Sequence, residues 1–204
     1  MLFNGDGHDY DATLASATKR GVDADVTGVR AVDNESPLRI VLLQGIARGE
    51  KMDLILQKAT ELGVAAIAPV FADRTEVRLD GERLDKRTAH WRSVVVSACE
   101  QSGRARIPEL LPARNLADAA AALPADALKL TLDPQGEHRS ESMAAPESMT
   151  VVIGIGPEGG WSEKDRIVLR DHGFIGLRLG PRVLRTETAG LAAIAALQAR
   201  LGDL

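Results

Sequence analysis

From Pro37 onward, short continuous apolar runs alternate with segments whose apolar residues recur every three or four positions. This is the pattern of strands buried on both faces between amphipathic helices. Residues 38–43, 64–70, 128–132, 150–155 and 175–179 read as strands. Residues 50–62 read as a helix with Met52, Ile55, Leu56, Ala59 and Leu62 on one face and Gly63 as its stop. Residues 84–99 read as a second helix, with Trp91, Val94, Val95 and Ala98 on one side, and the alanine-rich stretch 113–123 as a third. Ser162 is placed to cap a fourth that runs to about His172 and stops at Gly173. Asp165 stands where a capping box has its acidic partner, with Asp in place of Glu. A last helix over 188–201 carries an apolar stripe of Leu191, Ile194, Leu197 and Leu201, suited to a core or a dimer interface. The alternation predicts an α/β fold with a mostly parallel sheet and helices on both faces. Ligands in such sheets bind beyond the carboxyl ends of the strands, so function is expected in the loops after Leu43, Val70, Leu132, Ile155 and Leu179.

Residues 1–36 follow a different rule. Residues 12–18 and 25–32 read as short strands broken by glycines, and Asn34-Glu35-Ser36-Pro37 reads as a break. Two or three strands cannot close a barrel or sandwich alone. Residues 1–36 are therefore expected to be a lid or a fragment of a larger β domain, and residues 37–204 the main domain.

Composition narrows the functions. Only 3% of the chain is aromatic, which argues against a base-stacking surface built from many rings. The net charge of -4 means that any nucleic-acid contact must rest on a local patch. The stretch 74–106 supplies one candidate, with Arg74, Arg78, Arg83, Lys86, Arg87, Arg92, Arg104 and Arg106 interleaved with acids; a solvated helix face is the competing reading. Cys99 stands alone, so no intramolecular disulfide is expected, and His8, His90, His138 and His172 lack metal-ligand spacing, so no metal is expected. No apolar run approaches the roughly 18 residues of a membrane span and no signal peptide is evident, so the expected location is cytoplasmic.

Two loops stand out. Gly154-Ile155-Gly156-Pro157-Glu158-Gly159-Gly160-Trp161-Ser162 follows a strand and precedes a helix, and its glycines expose backbone groups to a flat ligand. It matches G-x-G-x-x-G at Gly154, Gly156 and Gly159, but a dinucleotide turn fits poorly. Pro157 and the late cap at Ser162 push the helix away, Leu179-Gly180 stands where an acid is expected, and little chain remains for such a fold. The second loop runs from Leu179 to Ala189. Thr186 or Thr188 is expected to cap the last helix and Glu187 to complement its dipole. Arg182 and Arg185, just before a helix N-terminus that disfavours cations, point to a bound anion or a developing negative charge.

Together these loops, Ile155 to Gly160 and Leu179 to Ala189, resemble the ribosomal RNA small-subunit methyltransferase E family of the SPOUT superfamily. Three more stretches agree: Arg48-Gly49-Glu50-Lys51-Met52, Gln57-Lys58-Ala59-Thr60-Glu61-Leu62-Gly63-Val64 and Ala98-Cys99-Glu100-Gln101-Ser102-Gly103-Arg104. The resemblance runs from about Leu2 to Leu204, with Trp161 standing where many relatives carry leucine or another apolar residue. It implies a trefoil knot in the parallel sheet, a PUA-like RNA-binding β-barrel of which residues 1–36 are a part with its first strands absent, and a homodimer. It implies S-adenosylmethionine as cofactor and methylation of uridine N3 in small-subunit (16S) ribosomal RNA, free or in the assembled subunit. Gly154, Gly156, Pro157, Glu158, Gly159, Gly160, Leu179, Gly180, Arg182, Val183, Leu184 and Thr188 become the expected cofactor site. Arg185 is the candidate to stabilise negative charge on the uracil, Glu187 a candidate base, and Lys51, Arg74 and Arg104 candidate RNA contacts. The alternatives are a SPOUT enzyme with another RNA target and a non-catalytic RNA-binding protein.

Overall fold

A computed structural model describes residues 1–133, 136, 138–139 and 143–204. The chain opens with β1 (Leu2–Phe3), β2 (His8–Thr18) and β3 (Gly21–Ala31), an antiparallel sheet whose hairpin is longer than the expected short strands. Then follow β4 (Arg39–Gly45), α1 (Glu50–Glu61), β5 (Ala66–Phe71), α2 (Gly81–Ser102), β6 (Glu109–Leu110), β7 (Arg114–Asn115), α3 (Leu116–Ala121), β8 (Leu128–Leu132), β9 (His138–Arg139), β10 (Thr150–Ile155), α4 (Glu163–Asp171), β11 (Ile175–Arg178) and α5 (Thr186–Leu201). The second sheet runs β6-β5-β4-β10-β8-β11-β9, with β7 also on β5, and all its pairings are parallel. Strand β11 lies between β8 and β9, both of which precede it in the chain.

The continuous apolar runs follow from burial on both faces. Along β4, Ile40 and Leu42 join a core with α1, α2 and α5, while Val41 and Leu43 join a second core with α3 and α4. The α1 face was legible: Met52, Ile55, Leu56 and Ala59 are buried. The capping box forms in full, with Asp165 N–H donating to Ser162 Oγ at 3.2 Å and Ser162 N–H to Asp165 Oδ2 at 2.9 Å.

Two expectations need correction. The helix expected over 113–123 shrinks to α3, because Arg114 and Asn115 pair with β5 and Asn115 then caps the helix by accepting from Asp118 N–H at 2.9 Å. Helix α5 starts at Thr186 with Arg185 at the N-cap, and no side chain caps it; neither threonine does so. The apolar stripe of α5 serves the core, one of the two uses expected for it. Ile194 and Leu197 are fully buried, and Leu191 and Leu201 pack against the same cluster.

The N-terminal sheet is tied to the turn after α2. Gly7 N–H donates to Ala105 O at 3.0 Å, Asn34 Nδ2 donates to Gly103 O at 2.8 Å, and Asp6 bridges Arg106. Leu14, Val22, Val26 and Val29 remain exposed on this hairpin. Among the described residues no helix is long and apolar enough to cross a membrane.

Candidate functional site

A cleft of about 370 Å³ opens beyond the carboxyl ends of β8, β10 and β11, where the loop after β10 faces the segment joining β11 to α5. It gathers most of the expected cofactor site: Gly154, Gly156, Pro157, Glu158, Gly159 and Gly160 from one loop, and Leu179, Gly180, Arg182, Val183 and Leu184 from the other. Arg185 lines it as well. Thr188 does not; it borders a neighbouring concavity with Ala192 and Ala196 of α5. Glu187, the candidate base, lines neither. It sits in the first turn of α5, where its charge complements the helix dipole, and its Oε2 is shielded from solvent with no hydrogen-bond partner among the described residues.

The glycine loop is shaped by its own packing. Gly160 N–H donates to Pro157 O at 2.8 Å, closing a turn that puts Gly160 at φ 66°, a conformation open to glycine. A Cβ on Gly156 would stand 3.0 Å from the Gly160 carbonyl carbon and the Trp161 nitrogen, so the loop folds over this residue. Trp161 is buried and donates from Nε1 to Thr131 Oγ1 at 3.0 Å, which anchors the far end of the loop to β8.

Charged groups brace the loop from outside. Glu158 accepts from Arg48 N–H at 3.0 Å and pairs with Lys51 at 3.5 Å. Partial burial pushes its carboxyl up, but the N–H groups of Arg48 and of Glu158 itself, with Lys51, outweigh burial and hold it below its ordinary value of 4.5. Arg74 Nη1 donates to Gly159 O at 2.9 Å, and Arg48 pairs with Glu76. Lys51 and Arg74, expected as RNA contacts, thus stand beside the cleft with part of their bonding already committed. Arg104 is a correction. It is buried, with Nη1 donating to Thr60 O at 2.8 Å and Val64 O at 3.1 Å, and Nε donating to Glu35 at 3.0 Å, so RNA cannot reach it.

Arg182 and Arg185 are exposed at the cleft, and among the described residues neither guanidinium has a hydrogen-bond or ion-pair partner. Sequence reasoning missed Asp133, Arg166, Thr186 and Ala189 as lining residues. Asp133 follows β8, in one of the loops where a site was expected, and pairs with Arg166 at 3.4 Å. Arg166 is on α4 and carried no local motif. Among the described residues no group of three His, Cys, Asp or Glu side chains gathers to hold a metal ion.

Backbone polar groups, apolar side chains and free guanidiniums around one concave site suit a flat ligand held beside an anion. Comparison with known proteins places this geometry. The RNA methyltransferase domain family matches residues 34–198. The ribosomal RNA small subunit methyltransferase E of Buchnera aphidicola is 33% identical over 204 residues, covering 100% of this chain and 82% of its own length. That of Bacillus subtilis is 31% identical, covering 94% and 78%. Among solved structures, the Neisseria gonorrhoeae ribosomal RNA small subunit methyltransferase E bound to S-adenosylmethionine superposes with a TM-score of 0.93 at 44% identity, covering 99% of this chain and 83% of its own. A Legionella pneumophila methyltransferase in complex with the same cofactor gives 0.94 at 41% identity, covering 100% and 83%. These matches, which run along nearly all of this chain, together with the cleft at the strand ends, show that the chain belongs to the ribosomal RNA small subunit methyltransferase E family.

Proposed function

We propose that this chain methylates the N3 nitrogen of a uridine in small-subunit ribosomal RNA, taking the methyl group from S-adenosylmethionine. The observation that carries the reading is the pair of guanidiniums, Arg182 and Arg185, without partners among the described residues, at a cleft built from backbone groups of two loops. The cleft fits the cofactor in size and lining: about 370 Å³, with Leu132, Ile155 and Leu179 for an adenine ring and the backbone of residues 156–160 and 179–184 for its polar edges. When bound, S-adenosylmethionine supplies a methyl group on a sulfonium whose thioether leaves readily.

The protein's part is position and electrostatics. Uridine N3 is a poor nucleophile while protonated; as its proton passes to solvent water at the open cleft, negative charge spreads to the flanking carbonyl oxygens. Arg185 stabilises that charge, and its value is greatest where water is excluded. Arg182, Lys51 and Arg74 add positive charge around the cleft for the RNA backbone. Residues 37–204 form the catalytic domain. Residues 1–36 belong to a PUA-like RNA-binding domain, a reading supported by the antiparallel sheet packed beside the turn after α2. A trefoil knot is supported by the late insertion of β11 between β8 and β9, followed by a helix start bonded back to the β10 loop.

Calorimetry with S-adenosylmethionine, followed by single-turnover methylation of small ribosomal subunits that lack the modification, tests the reading. The expected results are binding at one site per chain and N3-methyluridine by mass spectrometry. Arg185→Ala is expected to slow transfer on the order of a hundredfold while cofactor affinity stays within a few-fold. Absence of cofactor binding favours a non-catalytic RNA-binding protein. A methyl group on another nucleotide or another RNA overturns the target, and parental transfer by Arg185→Ala overturns its role.

A further inference from the structure

Gln44, the penultimate residue of β4, is fully buried. Its amide nitrogen donates to Gly45 O at 2.9 Å and to Thr186 Oγ1 at 3.1 Å, and Thr186 Oγ1 donates to Gly156 O at 2.6 Å. Chemistry sets the direction of this relay. The carbonyls of Gly45 and Gly156 only accept, so the amide must turn its nitrogen toward Gly45. The hydroxyl gives its single proton to Gly156 and so receives from Gln44. Three segments distant in sequence are joined: the end of β4, the glycine loop after β10 and the first residue of α5.

The surroundings leave little slack. A Cβ on Gly45 would stand 2.5 Å from Pro157 N, so β4 and the glycine loop touch backbone to backbone. A Cβ on Gly190 would stand 3.4 Å from Ile155 and 3.8 Å from Gln44 Oε1, so α5 lies close against the same place. Gln44 Oε1 has no hydrogen-bond partner among the described residues. An orphaned buried acceptor destabilises, and an apolar side chain of similar size would avoid it. The amide is nevertheless here, and what it contributes is a fixed geometry between the two loops of the cleft. Gln44 itself does not line the cleft, whereas Thr186 does.

We infer that Gln44 and Thr186 are positioning residues whose buried relay sets the separation of the two cleft loops and thereby the affinity for the cofactor. The inference rests on the cofactor reading given above. Its consequence is that loss of either member loosens the cleft in the same way, because each breaks one chain of bonds.

The test is titration calorimetry of the full chain with S-adenosylhomocysteine, with circular dichroism and thermal melting of each ligand-free variant. Gln44→Met keeps the volume without the donor, Thr186→Val keeps the shape without the hydroxyl, and Thr186→Ser keeps the hydroxyl. The expected result is a Kd raised roughly tenfold by Gln44→Met and by Thr186→Val, and parental affinity in Thr186→Ser. The double variant is expected to bind about as weakly as either single one, because the two losses are coupled. Parental affinity in folded Gln44→Met or Thr186→Val overturns the inference, even if the melting temperature falls, since that is the mark of a purely structural role. Losses that multiply in the double variant overturn the relay, and weak binding by Thr186→Ser overturns the part given to the hydroxyl. If Thr186→Val does not fold, Gln44→Met decides alone. If the parent protein binds no S-adenosylhomocysteine, the cofactor reading fails instead.

Discussion

A guanidinium carries five donors in a rigid fork, and Arg104 spends its donors inside the protein. It serves carbonyls at the end of α1 and just beyond it, at Thr60 and Val64, and the carboxylate of Glu35 in the link between the sheets. Removing it leaves the Val64 carbonyl and a partly buried carboxylate without their donor, while the Thr60 carbonyl keeps the Gly63 N–H. Arg104→Ala is expected to lower stability by roughly 3–5 kcal/mol, read as a lower midpoint in urea. An unchanged midpoint would overturn this structural role. Cys99, close by, is also structural: burial pushes its thiol up to about 11, against a weaker opposing pull from Arg104, so it is protonated at neutral pH. Neither role is visible in the stretch Ala98 to Arg104 itself, because the partners of Arg104 lie on α1, just after it, and before β4.

At the scale of elements, local rules succeeded where the partners are local. The Ser162–Asp165 box closes within one turn, so its spacing alone predicts it, and α4 starts at the residue after the cap. The box also has a distant duty, since Asp165 Oδ1 accepts from Asp73 N–H at 3.2 Å and joins α4 to the loop after β5. Ser162→Ala is expected to cost about 1 kcal/mol, seen as a drop in melting temperature, and Ser162→Thr to restore most of it. A melting curve unmoved by Ser162→Ala would show that packing, not the cap, starts α4. Helix α5 shows the opposite case. The same capping rule placed a threonine at its start, but the Thr186 hydroxyl is taken by Gly156 and Gln44, one from the loop after β10 and one from β4. Likewise the alanine-rich stretch 113–123 has helical propensity throughout, yet pairing with β5 claims its first residues.

At the scale of the whole molecule, the inner face of α5 is consumed by the core, and its outer face borders a concavity of about 330 Å³ with Thr188, Ala192, Ala196, Leu184 and Leu179. A homodimer would use that outer face. Light scattering at micromolar concentration is expected to give twice the 21.7 kDa chain mass, and a steady monomer would count against it. The sequence by itself determined the α/β class, most strand positions and the two loops that form the cleft, because burial on two faces and helical periodicity are written in neighbouring residues. It also determined the family, because the loop residues that shape the cleft are themselves contiguous. Tertiary structure alone decided the rest. It inserted β11 between β8 and β9, turned the Leu191-to-Leu201 stripe inward and buried Arg104. It moved Glu187 out of the cleft, brought Asp133 and Arg166 into it, and set Gln44 beneath it. Each of these depends on groups far apart in the chain, whose meeting is fixed by how the sheet is threaded and by which polar atoms must find partners once water is excluded.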